Sequence, residues 1–169
     1  MAEQANPVWR PMRKDDNAAV TAISDRVHGD YTEGSEVFAS RLALYPAGCF
    51  VLQVPLGAAS SPSAPLGYLI AHPSHRGAPP ALNEVLDVLP TPAGTLYLHD
   101  IAVLSQARGS GAGAAALALV EQLARAEGLA DVTLIAVNGA DSYWLRQGFT
   151  IVAGGGYGPG TFLMRRIID

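Results

Sequence analysis

The chain has 169 residues, 49% of them hydrophobic, and a formal net charge of −4. That length and apolar content fit one domain with a sizeable core and exclude a disordered chain, while the negative balance argues against a general nucleic-acid surface. Cys49 is the single cysteine, so no intrachain disulfide can form, and it reads as a small core residue.

Val8 to Met12 reads as a short first strand, at an edge because Pro11 has no amide to donate. Asp15 or Asp16 is placed to cap a helix from Asn17 to about Val27. A second helix is predicted from Ser35, as cap, to Tyr45, with Val37, Phe38, Leu42 and Tyr45 on its inner face. The polar stretch between them carries Asp30 and Glu33, with Glu36 just beyond; it reads as a solvated acidic face, with recognition of a cationic acceptor as the alternative. Cys49 to Val54 and Leu66 to Ala71 read as a strand pair joined by the loop PLGAASSPSAP. Residues 73–92 form an insertion in which Leu82, Val85, Leu86 and Leu89 recur at helical spacing, predicting a short helix from Ala81 to Leu89.

Thr95 to Leu104 is apolar on both faces and belongs mid-sheet. Strict alternation places Tyr97, His99, Ile101 and Val103 on one face and Leu96, Leu98, Asp100 and Ala102 on the other. A long helix follows from about Gly109 to Glu127, stopped by Gly128. Then come a strand, Val132 to Val137, and a short helix ending at Gly148. The last two strands are Ile151 to Ala153 and Thr161 to Ile168, joined by GGGYGPG.

The stretch Ser105 to Ala116, SQARGSGAGAAA, links the mid-sheet strand to the long helix. A strand, a glycine-rich turn and a helix start together present unpaired backbone amides at a positive helix end, which suits phosphate. A P-loop is excluded because no Gly-Lys-Ser/Thr follows. A dinucleotide turn tolerates the spacing Gly109, Gly111, Ala114, but too little chain remains for a doubly wound domain. The remaining match is Q-x-x-G-x-G, met by Gln106, Gly109 and Gly111.

With the strand before it, and with Asn138 and Gly148-Phe149 after it, this motif resembles the pyrophosphate loop of the GNAT superfamily of acyl-CoA-dependent N-acetyltransferases. The resemblance is specific from about Thr95 to Phe149; the first ninety residues share only the order of elements. It implies a single α/β (α+β) domain over 1–169. Its sheet would be mixed, mostly antiparallel and six- to seven-stranded, flanked by helices, with a V-shaped cleft between two central parallel strands.

The implied co-substrate is acetyl-CoA. His28, His72 and His75, in loop or strand-end contexts, have no metal-ligand spacing to one another, so no metal is expected. Ile101, Ala102 and Val103 would offer backbone groups to its pantetheine arm. Gln106, Arg108, Gly109, Ser110, Gly111, Ala112 and Gly113 would hold the pyrophosphate, and Asn138, Ser142 and Trp144 would contact the cofactor further along. The implied partner is an amine acceptor, with no nucleic acid or membrane involved and a monomer or homodimer as the state. The opening residues lack the apolar core of a secretion signal, so the cytoplasm is the expected location. An acceptor amine, with a pKa near 10, must lose a proton before it attacks. His99 is the candidate base, since imidazole is the side chain suited to proton transfer near neutral pH, and Asp100 is its neighbour.

Family members commonly carry a Tyr where this chain has Trp144, and an indole cannot serve as an acid. Tyr143, Ser142, Tyr157 or water is left to protonate the thiolate. The departure keeps two alternatives open: an acyl-CoA-binding sensor without activity, and an enzyme using a different acyl donor.

Overall fold

The computed structural model describes residues 5–55 and 63–169. Strands Val8–Pro11 (β1), Cys49–Gln53 (β2), Gly67–Ser74 (β3), Thr95–Val103 (β4), Asp131–Ala136 (β5), Thr150–Gly154 (β6) and Phe162–Ile167 (β7) form one sheet. Their order is β1-β2-β3-β4-β5-β7-β6. Every neighbouring pair is antiparallel except β4 and β5.

Helices Asn17–His28 (α1) and Ser35–Leu44 (α2) cover one face, where Val20, Ile23 and Phe38 pack on Val51, Tyr68, Ile70 and Ala102. Helix Ala112–Ala126 (α3) covers the other. Its stripe of Ala116, Leu117, Val120 and Ala124 meets Leu69, Ala71, Leu96, Leu98 and Leu134. That stripe recurs at three and four residues, the helical spacing that sinks one side and leaves Glu121, Gln122 and Arg125 outside. A short helix, Asp141–Arg146 (α4), adds Trp144 to the same core. The expected mixed sheet, flanking helices and order of elements are all present.

Two irregularities shape the cleft. Parallel pairing of β4 with β5 is limited to Leu96 with Val132 and Tyr97 with Thr133, after which the strands part. From Leu98 to Val103 the inner edge of β4 therefore has no ladder partner in β5. Opposite, β3 pairs Ile70 with Asp100 but Ala71 with Leu98, so His99 is an extra residue bulged out of the ladder. The bulge corrects the alternation expected from sequence. Asp100 and Ala102 join Tyr97 and His99 on the α1/α2 face, while Ile101 and Val103 join Leu96 and Leu98 on the α3 face.

Other expectations change as well. No helix forms at 81–89. Pro79, Pro80, Pro90 and Pro92 bracket that stretch, Asn83 takes a left-handed φ of +63° that breaks a helical run, and Val88 is exposed. Asp16 does not cap α1; its carboxylate takes a two-bond grip from Arg10 and the amide of Arg13. Gly34, not Ser35, stands at the cap of α2, and Arg41 is fully buried on its inner side where Leu42 and Tyr45 are only half-buried. Most of the loop expected at 55–65 lies outside the described residues. No helix among the described residues is long and apolar enough to cross a membrane.

Gly48, in the turn before β2, lies against the backbone next to the bulge: a Cβ there would sit 1.9 Å from the Ala71 carbonyl oxygen. Gly48→Ala is therefore expected to lower unfolding stability by at least about 2 kcal/mol, read from urea denaturation. An unchanged midpoint would show that this backbone contact yields without cost.

Candidate active site

The parted strands enclose a cavity of about 610 Å³ that runs from the start of α3 to the α1–α2 loop. At one end, Arg108, Gly109, Gly111, Ala112 and Gly113 line it. Gly109 and Gly111 adopt φ of +80° and +84°, in the left-handed region open to glycine, and a Cβ at either would meet open space. Backbone conformation alone thus fixes glycine here. The first amide bonded inside α3 is that of Ala115, to the Gly111 carbonyl at 3.1 Å, and no side chain among the described residues caps the helix. Among those residues the amides of Ala112, Gly113 and Ala114 are left free at the positive helix end. These donors, with Arg108, fit a diphosphate. Trp9 braces the same turn, donating its indole N–H to the Ala112 carbonyl at 2.9 Å.

Along the middle of the cleft lie Leu98, Ile101, Ala102 and Val103 of β4 and Leu134, Ile135 and Ala136 of β5, with Trp144 behind. This is an apolar slot with one unpaired strand edge, a shape that accepts an extended chain by adding to the sheet. Asn138, at a left-handed φ of +55°, closes the β5 side and donates its side-chain amide to the His28 carbonyl at 3.4 Å. Ala140, rather than Asn138, stands at the cap of α4.

At the far end sit two histidine–carboxylate pairs. His99 Nε2–H donates to Glu33 Oε1 at 2.7 Å, and Glu33 Oε2 accepts the Asn83 amide at 2.8 Å. His99 and Glu33 side chains are 1% and 4% exposed, so only their rim opens to the cavity. His28 Nε2–H donates to Asp100 Oδ1 at 2.7 Å, and Asp100 Oδ2 accepts the Tyr68 hydroxyl. Burial opposes charge on Asp100, but the His28 hydrogen bond and charge, with help from His99 and Tyr68, hold its carboxyl below the usual range. For His28, burial is likewise outweighed by the Asp100 hydrogen bond and charge and by Glu33, and the imidazolium is favoured.

Behind Glu33 lies Arg41. Its Nη1 donates to the Glu84 carbonyl, while Nε and Nη2 have no partner among the described residues. Burial lowers its pKa, and the Glu33 charge opposes that. Buried beside His99, at 6.0 Å between ring centroids, His72 is pushed down to about 3 by desolvation and stays neutral.

Most residues anticipated from sequence meet in this cavity: His99, Asp100, Ile101, Ala102, Val103, Arg108, Gly109, Gly111, Ala112, Gly113, Asn138, Tyr143 and Trp144. Three do not. Gln106 and Ser110 face a second depression on the outer side of the turn, and Ser110 donates to the Ala107 carbonyl at 2.6 Å. The Ser142 hydroxyl turns back to the Gly139 carbonyl at 3.2 Å. Tyr143 brings its hydroxyl over Gly113, 2.9 Å from where a Cβ would stand, at the α3 end of the cavity. Tyr157 does reach in from the glycine-rich loop and bonds Pro80 and Tyr97. His28 was missed, because sequence alone places it in a loop with no partner in view. Glu33, read mainly as solvated surface and otherwise as a contact for a cationic acceptor, is instead the buried partner of His99. Among the described residues no three metal-binding side chains cluster.

The acetyltransferase (GNAT) family model matches residues 19–149, and the chain belongs to that family. It is a GNAT acetyltransferase. No curated protein sequence matches it significantly. Among solved structures it is similar to Ard1 from Thermoplasma volcanium, at 17% identity over 98% of this chain and 99% of that one, TM-score 0.72. It also resembles the NatC complex bound to Gag peptide and CoA, at 16% identity over 97% and 99%, TM-score 0.70. A third likeness is to the GphF GNAT-like decarboxylase in complex with isobutyryl-CoA, at 15% identity over 96% and 100%, TM-score 0.69. At these identities the likeness establishes the fold.

Two outcomes check the site. Gly111→Val forces a β-branched side chain into the left-handed region, and coenzyme A is expected to bind roughly tenfold more weakly by titration calorimetry. Unchanged affinity would show that the turn does not hold the diphosphate. The His28–Asp100 pair also sets a pH dependence. A raised histidine stabilises fully below about pH 6.5 and loses this as pH climbs through its folded value, while a lowered Asp stabilises above about pH 4. Urea midpoints are therefore expected to decline on the alkaline side of that window, and Asp100→Asn to flatten the decline.

Proposed function

We propose that this chain transfers an acetyl group from acetyl-CoA to a primary amine of a small molecule or peptide, by direct attack in a ternary complex. The observation that carries the proposal is one continuous cavity joining the free amides of α3 to the two imidazole–carboxylate pairs. A diphosphate at the helix end leaves an extended thioester arm lying along the unpaired edge of β4. Its reactive carbonyl then comes to the bulge at His99 and Asp100. CoA and isobutyryl-CoA in fold neighbours support an acyl-CoA in this slot.

An acceptor ammonium entering from the side of Tyr31, Leu82 and Tyr157 meets the His99–Glu33 pair, which takes its first proton. The neutral amine attacks the carbonyl carbon, and the carbon–sulfur bond breaks. A second reading, acyl-CoA binding without transfer, draws on Trp144 standing where a hydroxyl donor is usual.

An amine panel with acetyl-CoA and thiol detection separates the two: steady thiol release with at least one primary amine is expected. Calorimetric binding of acetyl-CoA without release for any amine would favour the sensor, and no binding at millimolar concentration would remove both. His99→Gln is expected to lower turnover at least tenfold while leaving acetyl-CoA affinity within about threefold. Its loss should be steepest at low pH, where the first proton is hardest to remove.

A further inference from the structure

The proposed transfer needs a second proton movement, because the leaving thiolate must be protonated, and the groups first considered for it are poorly placed. Trp144 has no acidic proton. Tyr143 holds its hydroxyl over Gly113 at the diphosphate end, and Ser142 is turned to Gly139. Tyr157 is made a weaker acid by burial.

We propose that His28 is the proton shuttle of this enzyme, its ring fixed by Asp100 and Tyr68 and its Nδ1 presented to the thioester. The inference rests on the acetyl-transfer reading above. Four observations carry it. His28 lines the cleft, with its side chain 14% exposed. Its Nε2 is committed to Asp100, whose second oxygen is committed to Tyr68, so the ring has one orientation. No hydrogen bond to Nδ1 forms among the described residues, leaving that nitrogen for substrate. Finally, His28 is anchored to both walls where the slot ends: by its side chain to Asp100, next to the bulge of β4, and by its carbonyl to Asn138 at the end of β5.

Proton and electron movements balance. The amine nitrogen bonds to the carbonyl carbon, and the tetrahedral adduct expels sulfur with the C–S electron pair. His28 Nδ1–H gives its proton to the sulfur. The neutral imidazole then takes the proton left on nitrogen as the amide forms. His28 is restored, and the one proton released overall is the ammonium proton taken earlier at His99–Glu33. The titratable groups facing His28 are Asp100 on β4, Glu33 on the α1–α2 loop and Tyr68 on β3. The two carboxylates favour the imidazolium, the form able to donate.

The test uses the full chain with acetyl-CoA and an amine that the wild type accepts. His28→Gln is expected to lower kcat at least a hundredfold, with KM for acetyl-CoA within about threefold. It should also abolish the alkaline limb of the wild-type kcat–pH profile, where the imidazolium is lost. His28→Ala with added imidazole should recover part of the rate, and Asp100→Asn should shift the alkaline limb to lower pH. That last shift keeps the test open if the His28 variants fold poorly.

A His28→Gln enzyme with unchanged kcat, a loss confined to KM, or an alkaline limb that persists would overturn the shuttle while leaving acetyl transfer intact. A wild type inactive with every amine would overturn the acetyl-transfer reading and the shuttle with it.

Discussion

The site depends on a single slipped register between β3 and β4. Because Ile70 faces Asp100 while Ala71 faces Leu98, His99 has no partner, and the side-chain phase of β4 inverts at that point. A regular strand would send His99 and Asp100 to opposite faces. The bulge sends both to the α1/α2 side, placing two consecutive titratable groups in one cleft. A buried carboxylate and a buried imidazole each need a partner; His28 and Glu33 come from the end of α1 and the loop after it, and Tyr68 of β3 adds its hydroxyl to Asp100. The same pairs dock that loop on the sheet.

The parting of β4 from β5 is the complementary constraint. It removes ladder bonds along six residues of β4 and exposes their inner edge between apolar walls. The result is a slot polar at both ends and apolar in the middle. The end at α3 is built from main-chain amides and Arg108, which favour negative charge. The end at the α1–α2 loop is built from matched opposite charges, with Arg41 behind Glu33. Charge in the second end is balanced internally, so a proton can be exchanged there without leaving an unpaired ion in a low-dielectric pocket.

What could be read from the sequence was whatever is written locally. The strand–turn–helix around Gly109 and Gly111 is legible because positive φ demands glycine and a helix start demands free amides. The mid-sheet place of β4 is legible because both its faces are apolar. His28 and Glu33 could not be read this way: their partners lie 72 and 66 residues away, and no periodicity links them. The bulge is equally silent, since nothing in TLYLHDIAV departs from alternation. The insertion misled for the opposite reason. Leu82, Val85, Leu86 and Leu89 do have helical spacing, but flanking prolines and the left-handed Asn83 prevent the helix. Leu82 serves instead as part of the cleft wall. Buried Arg41 was hidden because a charged side chain on an inner helix face contradicts the pattern by which faces are assigned.

The bond from Trp9 to the Ala112 carbonyl joins residues 103 apart in sequence and ties the outermost strand to the first turn of α3. The free amides at the start of α3 are therefore mechanically coupled to the edge strand. Whatever displaces that strand, whether a proteolytic nick, a fused tag or a docking protein that peels it from β2, would loosen the glycine turn from a distance without touching either histidine–carboxylate pair.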